Sequence, residues 1–209
     1  MADPTQAGPP PPAQLGQLIN GYWASFSIIA AARLGVADAL DDGATPVARL
    51  AERTSANADA LYRLLRALAS LSIFREEGER AFAHTPMSQL LRKDAPMSMH
   101  GVATMTSLMH LHAWPELLHS VRTGETAFAK IFGHQVFEHM AADPEAARAF
   151  DSAMAGYTIA VGNAVAAKYD FSRFATIADI GGGAGALSTI LLGKNPAPKG
   201  ITFDLPHVT

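Results

Sequence analysis

The stretch that decides the fold is "TIADIGGGAGALSTILLGKNP", which runs from Thr176 to Pro196. A short run of apolar and β-branched residues contains one acid, Asp179, and leads into four glycines within five residues. A helical pattern follows the glycines. A strand, a glycine turn and a helix form the arrangement with which a chain presents its backbone to a small ligand. The sequence therefore predicts an α/β unit here, with a ligand site at the glycine turn.

Two kinds of ligand fit this turn. Gly181, Gly183 and Ala186 match the loose dinucleotide pattern, in which a diphosphate rests on a helix N-terminus. Asp179, Gly181, Gly183 and Gly185 equally match D-x-G-x-G-x-G, the glycine loop of S-adenosylmethionine enzymes. Asp179 would repel a diphosphate, whereas a carboxylate attracts the sulfonium and ammonium groups of S-adenosylmethionine. The charge favours S-adenosylmethionine, and a dehydrogenase remains an alternative hypothesis.

A second strand supplies the other half of the predicted site. "GITFDLP" places Asp204 at the end of that strand, followed by Leu205. A carboxylate at this position can accept hydrogen bonds from both ribose hydroxyls, and the leucine offers an apolar surface to adenine. NAD sites use an acid in the same way, so Asp204 alone does not distinguish the two cofactors.

Composition narrows the class of protein. Of the 209 residues, 49% are hydrophobic and 17% are charged, so a sizeable core can form. The formal net charge is −3, so nucleic acid and anionic membranes are not expected partners. The absence of cysteine excludes disulfides and thiolate metal sites and fits a cytoplasmic location. No apolar run is long enough to span a membrane. Residues 1–13 contain four consecutive prolines and are predicted to be a disordered tail.

Residues 14–100 are predicted to form a helical domain. Leu15 to Leu40 has helical spacing, broken at Gly35, and is apolar on most sides around Trp23. Such a helix is either buried within one chain or part of a subunit interface, and both alternatives stay open.

A winged-helix layout follows in the same domain. Thr45 is predicted to cap a helix that starts at Pro46, a second helix follows "SANADA", and "REEGERAFAHT" predicts a hairpin with Gly78 at its turn. Six arginines and five acids between Arg49 and Arg80 leave a net charge of only +1, which attracts the phosphates of nucleic acid only weakly. We therefore expect a structural or dimerising winged helix.

Residues 101–167 are predicted to be connecting helices that line a substrate pocket. Four methionines and four histidines lie between Met97 and His119. His110 and His112 diverge on a helix, so no metal site is expected. The methionines indicate either adaptable core packing or a pocket for an irregular apolar substrate.

Three stretches together resemble a known family: "DIGGGAGALSTILLGKNPAPKGITFDLPHV", "FEHMAADPEAARAFDSAM" and "SVRTGETAF". They are similar to the S-adenosylmethionine-dependent small-molecule O-methyltransferases, which include plant caffeate and isoflavone enzymes and bacterial polyketide-tailoring enzymes. The resemblance covers nearly everything after the proline tail. It implies a homodimer built by the helical N-terminal domain, which also closes the partner's substrate pocket.

The resemblance also implies site residues. Cofactor contacts are expected at Gly181, Asp204 and Leu205, and from Met154 and Thr158 on the preceding helix, with Met154 also bordering the substrate. Asp179 matches the acid at the head of the family's loop. The full expected cofactor-binding set is Asp179, Gly181, Gly183, Asp204, Leu205, Met154 and Thr158.

The expected fold is a mostly α, winged-helix-like dimerisation domain followed by the first part, about two strands, of an α/β Rossmann-like methyltransferase domain in residues 168–209. Family members continue to a histidine that acts as general base, and none of the eight histidines here matches it. We therefore expect no catalytic residue in this chain and no activity from it alone. The expected activity of the whole enzyme is methylation of a hydroxyl on an aromatic or polyketide small molecule. A non-catalytic dimerising module and a winged-helix transcription regulator are the alternatives.

Overall fold

The computed structural model describes residues 9–205. Two compact units make up the chain, one ending at Gln89 and the other beginning at Leu90. Residues 90–100 belong to the second unit, where the Met99 N–H donates to the Leu90 carbonyl oxygen at 2.6 Å. The domain boundary after residue 100 stays a prediction of the sequence. Among the described residues, no helix is both long and apolar enough to cross a membrane.

The first unit combines helices with a small antiparallel sheet. Its helices are α1 (Pro11–Ile19), α2 (Gly21–Leu34), α3 (Val36–Ala39), α4 (Val47–Thr54), α5 (Ala58–Ser70) and α6 (Pro86–Gln89). Its strands are β1 (Thr45–Pro46), β2 (Phe74–Glu76) and β3 (Ala81–His84), in the order β1-β3-β2. The predicted hairpin is confirmed, because β2 pairs with β3 and Gly78 lies in the connecting turn with a φ of 64°.

Local details of this unit correct the sequence predictions. Helix α1 begins at Pro11, inside the predicted tail, because a proline in the first turn has no N–H to leave unpaired and a suitable φ. The predicted long helix breaks at Asn20 as well as at Gly35. Thr45 is not a helix cap. It lies in β1 opposite Phe82 and is fully buried, and its Oγ1 accepts the Asp41 N–H at 3.0 Å.

The core of the first unit forms between the two amphipathic helices and the sheet. Leu50 on α4, Leu65 and Leu68 on α5, and Phe74 and Phe82 in the hairpin are each at most 1% exposed. Burial of each of these side chains contributes about 1.5–3 kcal/mol to folding. The sheet and the helix pair therefore stabilise each other.

Helices α1 and α2 leave a broad apolar face uncovered. Between 52% and 78% of each of six large side chains on this face is exposed: Leu15, Leu18, Ile19, Tyr22, Trp23 and Phe26. The hypothesis that this helix is buried within one chain is therefore wrong for the described residues. A contiguous apolar face of this kind marks an interaction surface.

Most arginines of the first unit are already engaged by acids. Arg49 and Arg53 both reach Asp41, and three further ion pairs join the following residues: Arg66 with Glu76, Arg75 with Glu77, and Arg80 with Asp59. The guanidinium of Arg53 lowers the pKa of the Asp41 carboxyl from its usual value. The positive charges of this unit thus balance its own acids.

The second unit is mostly helical and carries a two-stranded parallel sheet. Its helices are α7 (His100–Met105), which continues into a π-helical turn (Thr106–His110), α8 (Leu111–Ala113), a 3-10 turn (Trp114–Glu116), α9 (Leu117–Thr123), α10 (Ala127–Phe132), α11 (Val136–Ala142), α12 (Pro144–Lys168) and α13 (Ala186–Lys194). Strands β4 (Thr176–Ile180) and β5 (Lys199–Phe203) pair in parallel.

Among the described residues, only one face of the parallel sheet is covered. The Leu192 side chain on α13 packs so closely against Gly200 of β5 that a Cβ on the glycine would lie 2.5 Å from the leucine Cδ1. On the other face, Ile180, Ile201 and Phe203 are exposed. Helix α13 therefore covers one face of the sheet, and the other face is exposed.

Helix α12 is the longest helix described in the second unit. Asp143 caps it by accepting the N–H groups of Glu145 and Ala146, and Pro144 occupies its first turn. Its small residues allow close packing in a core formed by the following buried residues: Met105, Met109, Phe128, Ala146, Ala149 and Ala153. Two of the methionines noted in the sequence therefore serve core packing.

Gly101 allows α7 to lie against α12. A Cβ at this position would lie 2.6 Å from Ser152 Oγ and 2.7 Å from the Ala153 nitrogen, and the latter is backbone that cannot rotate away. We expect Gly101→Ala to lower the free energy of unfolding by about 1–3 kcal/mol, because the two helices must separate. Urea unfolding measures this change.

Gly193 supplies the control for this test. It lies in α13 with open space around its Cα, so Gly193→Ala should leave stability unchanged or raise it by up to about 1 kcal/mol. Equal unfolding midpoints for the two variants would contradict the packing argument.

Candidate functional site

The second unit contains a cavity of about 630 Å³. Phe137 and Met140 of α11 form one wall, a stripe of α12 forms another, and the glycine turn with the end of β5 closes the site. A cavity of this size is in the range of small-molecule and cofactor sites.

The stripe of α12 follows from helical periodicity. Ala147, Asp151, Met154, Ala155 and Thr158 all line the cavity. Residues three and four apart share one face of a helix, so these five positions form a continuous strip about three turns long. Met154 and Thr158, both predicted from the sequence, lie in the middle and at one end of the strip.

Three glycines give the turn its shape. Gly181, Gly183 and Gly185 have φ values of 74°, 57° and 79°, a left-handed conformation that other residues rarely adopt. Gly182 is needed for space, because a Cβ there would lie 2.7 Å from the Asp179 Cγ and 2.8 Å from the Thr202 Cγ2. The turn is therefore shaped by backbone geometry at three positions and by close packing at a fourth.

Hydrogen bonds from the backbone of the turn fix it to the end of β5. The N–H groups of Gly181 and Gly182 donate to the Phe203 carbonyl oxygen at 2.8 and 3.3 Å. The Gly183 N–H donates to Asp204 Oδ2 at 2.7 Å. Asp204 Oδ1 accepts from the Leu205 N–H, also at 2.7 Å. Both carboxylate oxygens of Asp204 therefore accept backbone N–H groups, and the residue also lines the cavity.

Asp179 does not line the cavity, in contrast to the other six predicted cofactor-binding residues. Its Oδ2 accepts a hydrogen bond from Ser188 Oγ on α13 at 3.3 Å. Ser188 in turn accepts from Thr202 Oγ1 at 3.3 Å. The carboxylate therefore lies under the turn, against α13, and a cofactor contact from Asp179 stays a prediction.

The sequence missed several lining residues. Phe137, Met140, Phe150 and Asp151 also line the cavity, and no function was assigned to them. For Asp151, the signal was its spacing of three residues from Met154 on a predicted helix. Phe137 and Met140 come from a different helix, and only tertiary packing brings them to the site.

The charges of the cavity decide which cofactor fits. Among the lining residues in the part of the chain that the structure describes, two are carboxylates, Asp151 and Asp204, and none is a lysine, arginine or histidine. A diphosphate would find no counter-charge here, whereas a sulfonium and an ammonium would be attracted. Within residues 9–205, no group of three or more His, Asp or Glu side chains could hold a metal ion.

Comparison with known proteins gives the family. The O-methyltransferase domain matches residues 114–209, and the O-methyltransferase dimerisation domain matches residues 16–94. The chain belongs to the O-methyltransferase family. The family predicted from the resemblance is thereby confirmed, together with the order of a dimerisation domain followed by the start of a methyltransferase domain.

Individual O-methyltransferases are similar over almost the whole chain. Phenazine O-methyltransferase PhzM of Lysobacter antibioticus is 44% identical over 209 residues, which is 100% of this chain and 61% of that protein. The crystal structure of LaPhzM has a TM-score of 0.92 and 45% identity, covering 96% of this chain and 60% of that one. The chain therefore spans about 60% of the length of these relatives.

A third relative bears on the cofactor. The structure of human N-acetylserotonin methyltransferase in complex with S-adenosylmethionine has a TM-score of 0.88 and 27% identity, and covers 97% of this chain and 61% of that one. S-adenosylmethionine is thus confirmed as the cofactor of the family.

The hydroxyl of Ser188 connects Asp179 with Thr202 under the glycine turn. Ser188 is buried, so Ser188→Ala would leave its two partners without a hydrogen bond. We expect a loss of about 1–3 kcal/mol in the free energy of unfolding, measured with denaturant. Thr189→Ala is the control, because that exposed hydroxyl only donates to the Gly185 carbonyl of its own helix, and a change within about 0.5 kcal/mol is expected. An equally small change for Ser188→Ala would show that the connection is unimportant.

Proposed function

We propose that this chain provides the cofactor site and the dimerisation surface of an S-adenosylmethionine-dependent O-methyltransferase that acts on a hydroxyl of an aromatic or polyketide small molecule. The observation that carries the proposal is the glycine turn hydrogen-bonded to Asp204 at the edge of a cavity whose described lining residues include carboxylates and no cationic side chain. No catalytic residue is assigned within the chain.

Each predicted contact has a distinct task in this proposal. Gly181 and Gly183 let the methionine part of the cofactor lie against backbone, because no Cβ stands in the way. Asp204 accepts hydrogen bonds from the ribose hydroxyls, and Leu205 packs against adenine. Met154 and Thr158 hold the cofactor from the α12 side. The bound cofactor supplies an electrophilic methyl group, and the residues of this chain orient it.

The apolar walls favour a planar, largely apolar acceptor. Phe137, Met140 and Phe150 line the part of the cavity that is formed by α11 and the start of α12. Aromatic and thioether side chains pack well against flat ring systems and exclude water from the reacting atoms. One of the relatives described above is by name a phenazine O-methyltransferase, and we propose a hydroxylated aromatic acceptor here.

The cofactor assignment is tested by Asp204→Ala. We expect the dissociation constant for S-adenosylmethionine to rise at least tenfold, because two charge-assisted hydrogen bonds to ribose are lost and the Gly183 N–H loses its partner. Isothermal titration calorimetry measures it, with Thr189→Ala as the control. Affinity that is unchanged in Asp204→Ala would count against the proposal.

We further propose that the exposed face of α1 and α2 forms a homodimer interface. The dimerisation domain of the family matches residues 16–94, which include most of this face. We also propose that α4, α5 and the β2–β3 hairpin form a winged helix with a structural role. Its ion-paired arginines leave little free positive charge for nucleic-acid phosphates. The parallel strands β4 and β5 with α13 would then be the beginning of a Rossmann-like domain.

The dimer is tested by the double variant Trp23→Ala and Phe26→Ala. Both side chains are more than half exposed and lie one turn apart on α2, so their loss should weaken association at least about 30-fold. Light scattering coupled to size exclusion should then report a monomer at micromolar concentration. Leu71→Ala, an exposed leucine outside α1 and α2, should remain dimeric. A monomeric parent protein, or a dimeric double variant, would contradict the proposed interface.

A further inference from the structure

Asp151 brings an unbalanced negative charge to the cavity. Its side chain lines the cavity from α12. Among residues 9–205 it has no hydrogen-bond or ion-pair partner. Asp204, the other carboxylate, is different because it binds the backbone of the glycine turn. Asp151 therefore serves no visible structural purpose in the described part of the chain.

The position of Asp151 on α12 relates it to the cofactor. It precedes Met154 by three residues and Thr158 by seven, so the three side chains share one face of the helix. At 1.5 Å rise per residue, Asp151 lies about 4.5 Å along the axis from Met154, on the side away from Thr158. In the proposed function Met154 touches both cofactor and acceptor. Asp151 would then lie next to the sulfonium end of the cofactor.

We propose that Asp151 is a specificity-determining residue that recognises the positive charge of the sulfonium. This inference rests on the proposed function, and it extends that function to the choice between cofactor and product. S-adenosylhomocysteine, the product, differs from S-adenosylmethionine by one methyl group and one positive charge. A carboxylate near the sulfur favours the charged molecule and leaves the affinity for the neutral one unchanged.

The size of the effect follows from Coulomb's law. Two unit charges several ångströms apart in a partly solvated site attract each other enough to change an affinity about three- to tenfold. The apolar neighbours Met140 and Phe150 strengthen the attraction by displacing water from the cavity. Because Asp151 is exposed, added salt should weaken the attraction.

The experiment compares three ligands on the parent protein and on Asp151→Asn. The ligands are S-adenosylmethionine, S-adenosylhomocysteine and sinefungin, which carries a protonated amine in place of the sulfonium. Calorimetry should show that Asp151→Asn weakens the two cationic ligands about three- to tenfold and leaves S-adenosylhomocysteine within twofold. Asparagine has nearly the same shape as aspartate, so packing along α12 is preserved.

Two control variants separate charge recognition from other effects. Glu145→Gln removes one negative charge from the first turn of the same helix, outside the cavity, and should change none of the three affinities. Asp204→Ala should weaken all three ligands equally, because each of them carries the same ribose. A discriminating effect in Asp151→Asn alone would thus arise from its position beside the sulfur.

The outcomes distinguish the inference from the proposed function. If the parent protein binds none of the three ligands, the cofactor site itself is wrong and the inference fails with it. If the parent binds them and Asp151→Asn keeps the parent's ratio of affinities, the cofactor site stands and the role of Asp151 is overturned. An equal loss for all three ligands in Asp151→Asn would also overturn it, since that result indicates a structural role.

Discussion

The hydrogen bond between the Gly183 N–H and the Asp204 carboxylate is the interaction on which the site depends. It joins a turn that follows β4 to the end of β5, so the two halves of the site, far apart in sequence, have one fixed geometry. The bonds from Gly181 and Gly182 to the Phe203 carbonyl oxygen support the same junction. A turn of glycines has many accessible conformations, and these three bonds select one of them.

The acids at the ends of the two strands, Asp179 and Asp204, have different tasks because of the pleat of the sheet. Asp179 and Thr202 are paired positions on the face that α13 covers, so their side chains build the floor beneath the turn. Asp204 follows the last paired residue of β5 and is free of that alternation, so it can reach the cavity. One acid therefore supports the turn from below, and the other lines the cavity.

This division explains which parts the sequence predicted. Glycine spacing and the acid after a strand are local signals, and Gly181, Gly183 and Asp204 were found from them. The orientation of Asp179 was not predictable, because alternation along a strand does not tell which face a neighbouring helix will cover. Thr45 has the properties of a helix cap, but strand pairing with Phe82 overrode that preference. The sequence left open whether α2 is buried within the chain or exposed, and only the exposure of its side chains in the structure decided between the two.

The position of Asp179 under the turn favours the same cofactor, but for a different reason than a direct contact with the ligand. The N-terminus of α13 follows the glycine turn, and a helix N-terminus attracts phosphate through its free N–H groups and partial positive charge. Asp179 accepts a hydrogen bond from Ser188 in the first turn of that helix, so a full negative charge lies beside the partial positive one. A diphosphate placed on this helix end would meet that charge from below and Asp204 from the side. The charge of the half-buried Asp179 carboxylate therefore disfavours a dinucleotide at this helix end, although Asp179 does not line the cavity.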